Sequence, residues 1–236
     1  MSRMMAAFRH DVRFQVRHRF YAVYLLVTFL YVVFLHFLPI EWKVKATVVI
    51  ILSDPSALGY FFISGIVLLE KEQSIYENLF IAPLRVREYI GAKVLSLSLL
   101  SVGTSTAIHL FTFGFAQLSV LFILGVFLTS AFFTLIGLGI AVRCQTLNDF
   151  FLVSPLYTLV FTVPLLGYVG WMDTPLYYLL PTQASLLLIE DPFQPLEFIP
   201  SIALLGWFIV WVVIAYRWAE RSFQHYIIRR IGGISS

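Results

Sequence analysis

Apolar runs long enough to cross a bilayer dominate the chain, and short polar breaks separate them. The runs cover residues 20–38, 46–69, 92–113, 118–142, 150–169 and 198–216. Each reaches or approaches the roughly 20 apolar residues that a membrane helix needs. The pattern predicts an all-α fold: a polytopic membrane protein with six transmembrane helices in a single domain over 1–236. The run 46–69 contains Ser53-Asp54-Pro55-Ser56, so it is expected to be broken there or to begin late. Ahead of the first run, Arg9, Arg13 and Arg17 repeat every fourth residue opposite Met5, Phe8, Val12 and Val16. That spacing predicts a helix over 2–19 lying in the headgroup plane, drawn to membrane lipid; a plain topology anchor reads equally well. Residues 184–189 are apolar but far too short to cross and are expected to dip into the outer interface.

One interior polar stretch, 70–93, reads EKEQSIYENLFIAPLRVREYIGAK. Ser74 stands three residues before Glu77, the spacing of a capping box. Ile75 with Leu79, and Tyr76 with Phe80, fall four apart on a short helix. Pro83 disfavours helix at Ala82 and marks a stop. The pattern predicts a short amphipathic helix held between two spans.

Composition supports the membrane reading. The chain is 60% hydrophobic and 12% charged, with a mean hydropathy of +0.88, whereas soluble domains carry about 25% charge. The basic N-terminus lacks a signal-peptide cleavage site. Charge sets the expected orientation. With the N-terminus in the cytoplasm, only Lys43 and Lys45 of the 16 Lys and Arg fall outside, a strong positive-inside bias. Both termini and the segment 70–91 are then cytoplasmic, and the loop 171–200 faces outward.

Candidate chemistry is sparse. There is no G-x-x-x-x-G-K-[ST] phosphate loop, no H-E-x-x-H and no G-x-S-x-G. A lone cysteine, Cys144, excludes an internal disulfide, and no metal site or nucleic-acid partner is expected. Asp54 is the notable ionisable residue inside a span, where an acid is costly and often functional. It is a candidate for the substrate path or, beside Pro55 near the outer end, for a helix cap. His36 and His109 read as interfacial or packing residues. Asp149 is expected to form a local salt bridge with Arg143. Gly125, Gly137 and Gly139 allow close helix approach, for folding or for a dimer.

The segment Glu70-Lys71-Glu72-Gln73-Ser74-Ile75-Tyr76-Glu77-Asn78-Leu79, then Pro83, then Ala92-Lys93, resembles a motif of ABC-2 type exporter membrane subunits. That motif runs E-R/K-E-x-G-T-x-E-x-L, then a proline, then G/A-K entering the third span. Ser74 and Ile75 depart from the usual glycine and threonine. Residues 52–73 are similar to a bacterial subgroup that exports drugs, fluoroquinolones among them. The resemblance implies a permease working as two copies of this chain with two separate ABC ATPase subunits, which hold the ATP and Mg. Its coupling surface would comprise Glu70, Glu72, Ser74, Ile75, Tyr76, Glu77, Leu79, Phe80, Pro83 and Lys93. Tyr76, Leu79 and Phe80 would anchor in a groove of the ATPase, the acids would pair with its basic groups, and Lys93 would pair with an acid at the base of span two. It also implies a hydrophobic or amphipathic substrate (drug, lipid-like compound or peptide) and a bacterial or archaeal cell membrane. An ATP-independent channel or ion-coupled carrier is the alternative, and a scaffold that only recruits a partner is a third.

Overall fold

The computed structural model describes residues 3–17, 19–73, 76, 85–115, 118–172 and 174–228. Every element among them is helical. Helix α1 (Arg3–Arg17) meets α2 (Phe20–Phe37) at a bend of 67°. Arg19, with φ of 60°, makes the corner. The α2 helix stops at Leu38, just before Pro39, and turns Leu25, Phe29 and Phe34 outward as an exposed apolar stripe.

Helices α3 (Ile40–Ala57) and α4 (Ile63–Glu72) are joined by a π-helical stretch, Leu58–Phe62. The whole of Ile40–Glu72 is one rod of 33 residues, ~50 Å long at 1.5 Å per residue. The break expected around Pro55 is therefore absent. A proline inside a helix removes one hydrogen bond and crowds the preceding turn. Here the chain stays helical and widens just beyond it, as π-bulges commonly allow.

Helix α5 (Val86–Phe113) starts six residues ahead of the expected span, because Glu88 accepts the Arg85 backbone N–H at 2.8 Å and closes its first turn. Helix α6 (Val120–Ala141) is capped by Ser119 and is buried almost continuously from Thr129 to Ala141. It forms the axis of the bundle, in contact with α3 to α5 and with the helices that follow. Its glycines serve packing within the chain. A Cβ on Gly137 would lie 2.5 Å from the Tyr60 carbonyl oxygen, one on Gly125 would lie 2.7 Å from Leu188 Cβ, and one on Gly139 would overlap the Trp218 ring.

The expected fifth span is two pieces, α7 (Leu147–Thr162) and α8 (Pro164–Val169), the first of only 16 residues. Among the described residues four helices are long and apolar enough to cross a membrane, five if α1 and α2 count as one bent span. A 3₁₀ turn, Pro175–Leu179, precedes α9 (Pro181–Glu190). In the α9 helix Leu186, Leu188 and Ile189 are fully buried against the bundle. Asp191 fixes its end, accepting from Ser119 Oγ and, at 2.8 Å, from the Leu196 N–H. Helix α10 (Phe198–Phe223) closes the fold along α6 and runs into a π turn, Gln224–Ile228.

Candidate functional site

Three helices bring charge together at the end of the bundle where α4 finishes and α5 begins. On α4, Ile63, Ile66, Val67 and Glu70 share the buried face, so helical spacing turns Glu70 inward and leaves Glu72 exposed. On α5, Tyr89 and Lys93 are four apart on one buried face. On α1, Asp11 and Gln15 are its two buried residues, again four apart.

Lys93 Nζ lies 2.7 Å from Asp11 Oδ1 and 2.7 Å from Glu70 Oε1. The other Glu70 oxygen accepts from the Tyr89 hydroxyl at 2.5 Å. Gln15 Nε2 donates to Ser96 Oγ at 3.1 Å, tying α1 to α5 one turn further on. All three ionic side chains are under 10% exposed. The triad holds two carboxylates against one ammonium. Burial pushes the Asp11 carboxyl above its ordinary range, although Lys93 pulls it down; the Glu70 charge adds to the rise.

Tyr76 belongs to the same cluster. Its hydroxyl donates to the Val67 carbonyl at 3.2 Å and lies 3.2 Å from the Tyr89 hydroxyl. Its ring packs edge-on against Tyr89 and Phe223, at 6.0 and 5.6 Å between centroids. Burial, with the Glu70 charge behind it, pushes the Tyr76 phenol well up. Tyr76 therefore pins its segment to α4, α5 and α10 at once.

Three residues of the expected coupling surface are buried within the chain. Glu70, Tyr76 and Lys93 were expected to face a partner. They are 7%, 3% and 3% exposed and satisfy one another, because the spacing that makes a helix amphipathic carries them to the buried side. The expected pairing of Lys93 with an acid at the base of span two is present. Ser74, Ile75, Glu77, Leu79, Phe80 and Pro83 lie outside the described residues.

Around this core, Lys71 Nζ donates to the Val142 and Cys144 carbonyls at 3.3 and 2.8 Å, closing the C-terminus of α6. Arg87 reaches Glu220 at 2.7 Å on the surface. The expected Arg143–Asp149 bridge does not form. Asp149 is spent on capping α7, accepting from the Gln145 and Thr146 N–H groups, while Arg143 sits 4.7 Å over Trp218 and donates to Ser222 Oγ at 3.0 Å.

Asp54 is 9% exposed. It stands within the unbroken α3–α4 rod rather than at a frayed outer end, with Oδ2 lacking a hydrogen-bond partner; a cap at a helix break is thereby excluded. His36 is exposed, and His109 is buried among Phe113, Phe122 and Phe193 at 5.1–5.6 Å. Asp11 and Gln15 were not anticipated as site residues. A signal existed: Asp11 is the sole carboxylate before Glu41, set within a run of arginines.

Long apolar helices around a buried axial helix, with the ionic chemistry gathered at one end, define a polytopic all-helical membrane protein of the permease kind. The chain belongs to the fluoroquinolones export permease protein family, whose model matches residues 2–231. Two similar proteins, from two strains of Mycobacterium tuberculosis, are each named fluoroquinolones export permease protein. Each is 26% identical over 98% of this chain and 99% of its own length. No solved structure matches the chain.

Proposed function

We propose that this chain is the membrane permease subunit of an ATP-driven ABC-2 type exporter. It acts as a homodimer with two separate ATPase subunits that carry ATP and Mg. In this reading the protein makes six crossings of the cell membrane, with both termini and the segment 70–91 in the cytoplasm. Helix α1 lies in the headgroup plane and 171–200 forms the outer loop. The substrate is a hydrophobic or amphipathic drug; the relatives' names point to fluoroquinolones.

The observation that best supports coupling is the inward anchoring of Tyr76 on Val67, Tyr89 and Phe223. A push on the segment that carries Tyr76 is delivered to α4, α5 and α10 together, and through Lys93 to α1. Glu72, exposed at the end of α4, and Glu77, Leu79 and Phe80 further along the sequence are the residues assigned to the ATPase contact, by the helix-in-groove mode. The test is purification of the tagged chain from its native host, followed by transport in vesicles. An ATPase should co-elute in equal amount, and Glu77→Ala or Leu79→Asp should abolish ATP-dependent export while leaving the protein inserted. Unchanged export in both variants refutes the coupling role.

A second reading, an ion-coupled carrier, is favoured by one observation: Asp54, buried inside a span with an unpartnered oxygen. It requires export to persist without ATP and to stop when the proton gradient is dissipated.

A further inference from the structure

Where α4, α6 and α10 end, the structure leaves a cavity of about 250 Å³ lined by Lys71, Val142, Arg143, Gln145, His225 and Tyr226. It is smaller than the roughly 300–1,000 Å³ of drug-sized sites. Among the described residues no carboxylate lines it. Lys71 Nζ is committed to the Val142 and Cys144 carbonyls. In that position it neutralises the negative end of the α6 dipole, which would otherwise repel an anion in the cavity.

Arg143 differs. A guanidinium carries five N–H donors in a rigid fork and keeps its charge at any ordinary pH. Here it donates to Ser222 Oγ at 3.0 Å and lies over the Trp218 and Tyr226 rings at 4.7 and 5.6 Å. Two ring faces and one hydroxyl hold the group in place without neutralising it. Among the described residues no carboxylate pairs with it. Asp149 is spent on the Gln145 and Thr146 N–H groups, and Glu220 on Arg87. A fixed, exposed cation on a cavity wall, with donors to spare, suits a phosphate group.

The surroundings decide which phosphate. Trp218 and Tyr226 are of the aromatic types that gather where a membrane helix meets the headgroups. Toward the membrane interior, α7 and α10 face each other across Tyr157–Trp218 and Phe161–Trp211, with ring centroids 6.2 and 6.0 Å apart. Val153 and Val160 on the Tyr157 face of α7, and Val210 and Ile214 on the Trp218 face of α10, are exposed. Apolar surface therefore runs up to the basic cavity. We propose that the cavity binds the phosphate of an anionic phospholipid whose acyl chains lie along this α7–α10 seam. The site asks nothing of an ATPase or of a transported substrate, so it stands or falls apart from the exporter reading.

The test is native mass spectrometry of the purified full chain after incubation with equal amounts of phosphatidylglycerol and phosphatidylcholine. Wild type should retain phosphatidylglycerol about tenfold over phosphatidylcholine. Arg143→Gln removes the fixed cation. Gln145→Glu, a near-isosteric change at an exposed position, puts a competing carboxylate into the cavity and leaves the Arg143 side chain in place. Each should lose about fivefold of the preference. Arg87→Gln, which removes an exposed charge outside the cavity, should keep it. Thermal melting verifies that each variant is folded; should Arg143→Gln not fold, Gln145→Glu decides alone. Equal retention of the two lipids by wild type overturns the proposal, and so does an unchanged preference in folded Gln145→Glu. A loss in Arg87→Gln as large as in Gln145→Glu overturns it as well, because it marks diffuse attraction to surface charge. Excess inorganic phosphate separates the two sources of the group. If it raises the melting temperature of wild type but not of Gln145→Glu, while phosphatidylglycerol is not preferred, the site takes free phosphate and the lipid assignment fails.

Discussion

Replacing Lys93 with methionine tests the central cluster directly. Methionine keeps most of the side-chain length and removes the charge, leaving Asp11 and Glu70 with no ammonium between two side chains that are 8% and 9% exposed. Breaking a buried ion pair by removing one partner costs about 3–5 kcal/mol, because the remaining charge stays uncompensated. Asp11→Asn is the matched control. It keeps an oxygen acceptor for Lys93 and leaves one carboxylate against one ammonium, so it should cost no more than about 1 kcal/mol. For a chain of this size 1 kcal/mol corresponds to roughly 2–4 °C in melting temperature, so Lys93→Met should melt ~6–20 °C lower and Asp11→Asn within ~4 °C of wild type. Cys144 provides the assay. It is the chain's one cysteine and is buried, and burial also raises its thiol pKa, so it reacts with a maleimide dye only on unfolding. A Lys93→Met melt within 3 °C of wild type, or an Asp11→Asn loss as large as that of Lys93→Met, refutes the reasoning.

The raised Asp11 carboxyl has a pH signature. Its folded value lies above 3.8, so protonation favours the folded state, and its contribution is lost as pH rises through that value. Acidification from neutral pH toward 3.8 should stabilise wild type relative to Asp11→Asn, and a difference between the two melts that does not change with pH would contradict this. Gly137→Ala should destabilise by about 1–3 kcal/mol, since its Cβ meets the Tyr60 backbone; Gly103→Ala, in open space, should melt no lower than wild type. Arg87→Ala breaks a pair whose arginine is 76% exposed, and its melt should stay close to that of wild type.

Much of this protein is legible along the chain. The apolar runs identify the long helices, the motif from Glu70 to Lys93 identifies the junction of α4 and α5, and the acid expected opposite Lys93 is Glu70. Reading went wrong where one residue type carries two meanings. Ser-Asp-Pro-Ser reads as a break, yet a proline inside a tightly packed rod is absorbed by a wider turn. Arg143 and Asp149 read as neighbours of opposite sign, yet the carboxylate is worth more at the orphan N–H groups of α7. Tyr76 and Glu70 read as a surface face, because amphipathicity says that a helix has two sides but not which side meets the protein.

The sequence by itself determined membrane residence, an all-helical architecture and family membership, since each depends on hydropathy and spacing within one segment. Only the tertiary structure decided that Asp11, 82 residues from Lys93, completes the cluster, that Tyr76 turns inward, and that a cavity remains beside Arg143 at the end of α6. Periodicity fixes which residues share a helix face. Which three faces meet depends on how the helices pack around α6, and a buried charge is stable only where that packing supplies its partner.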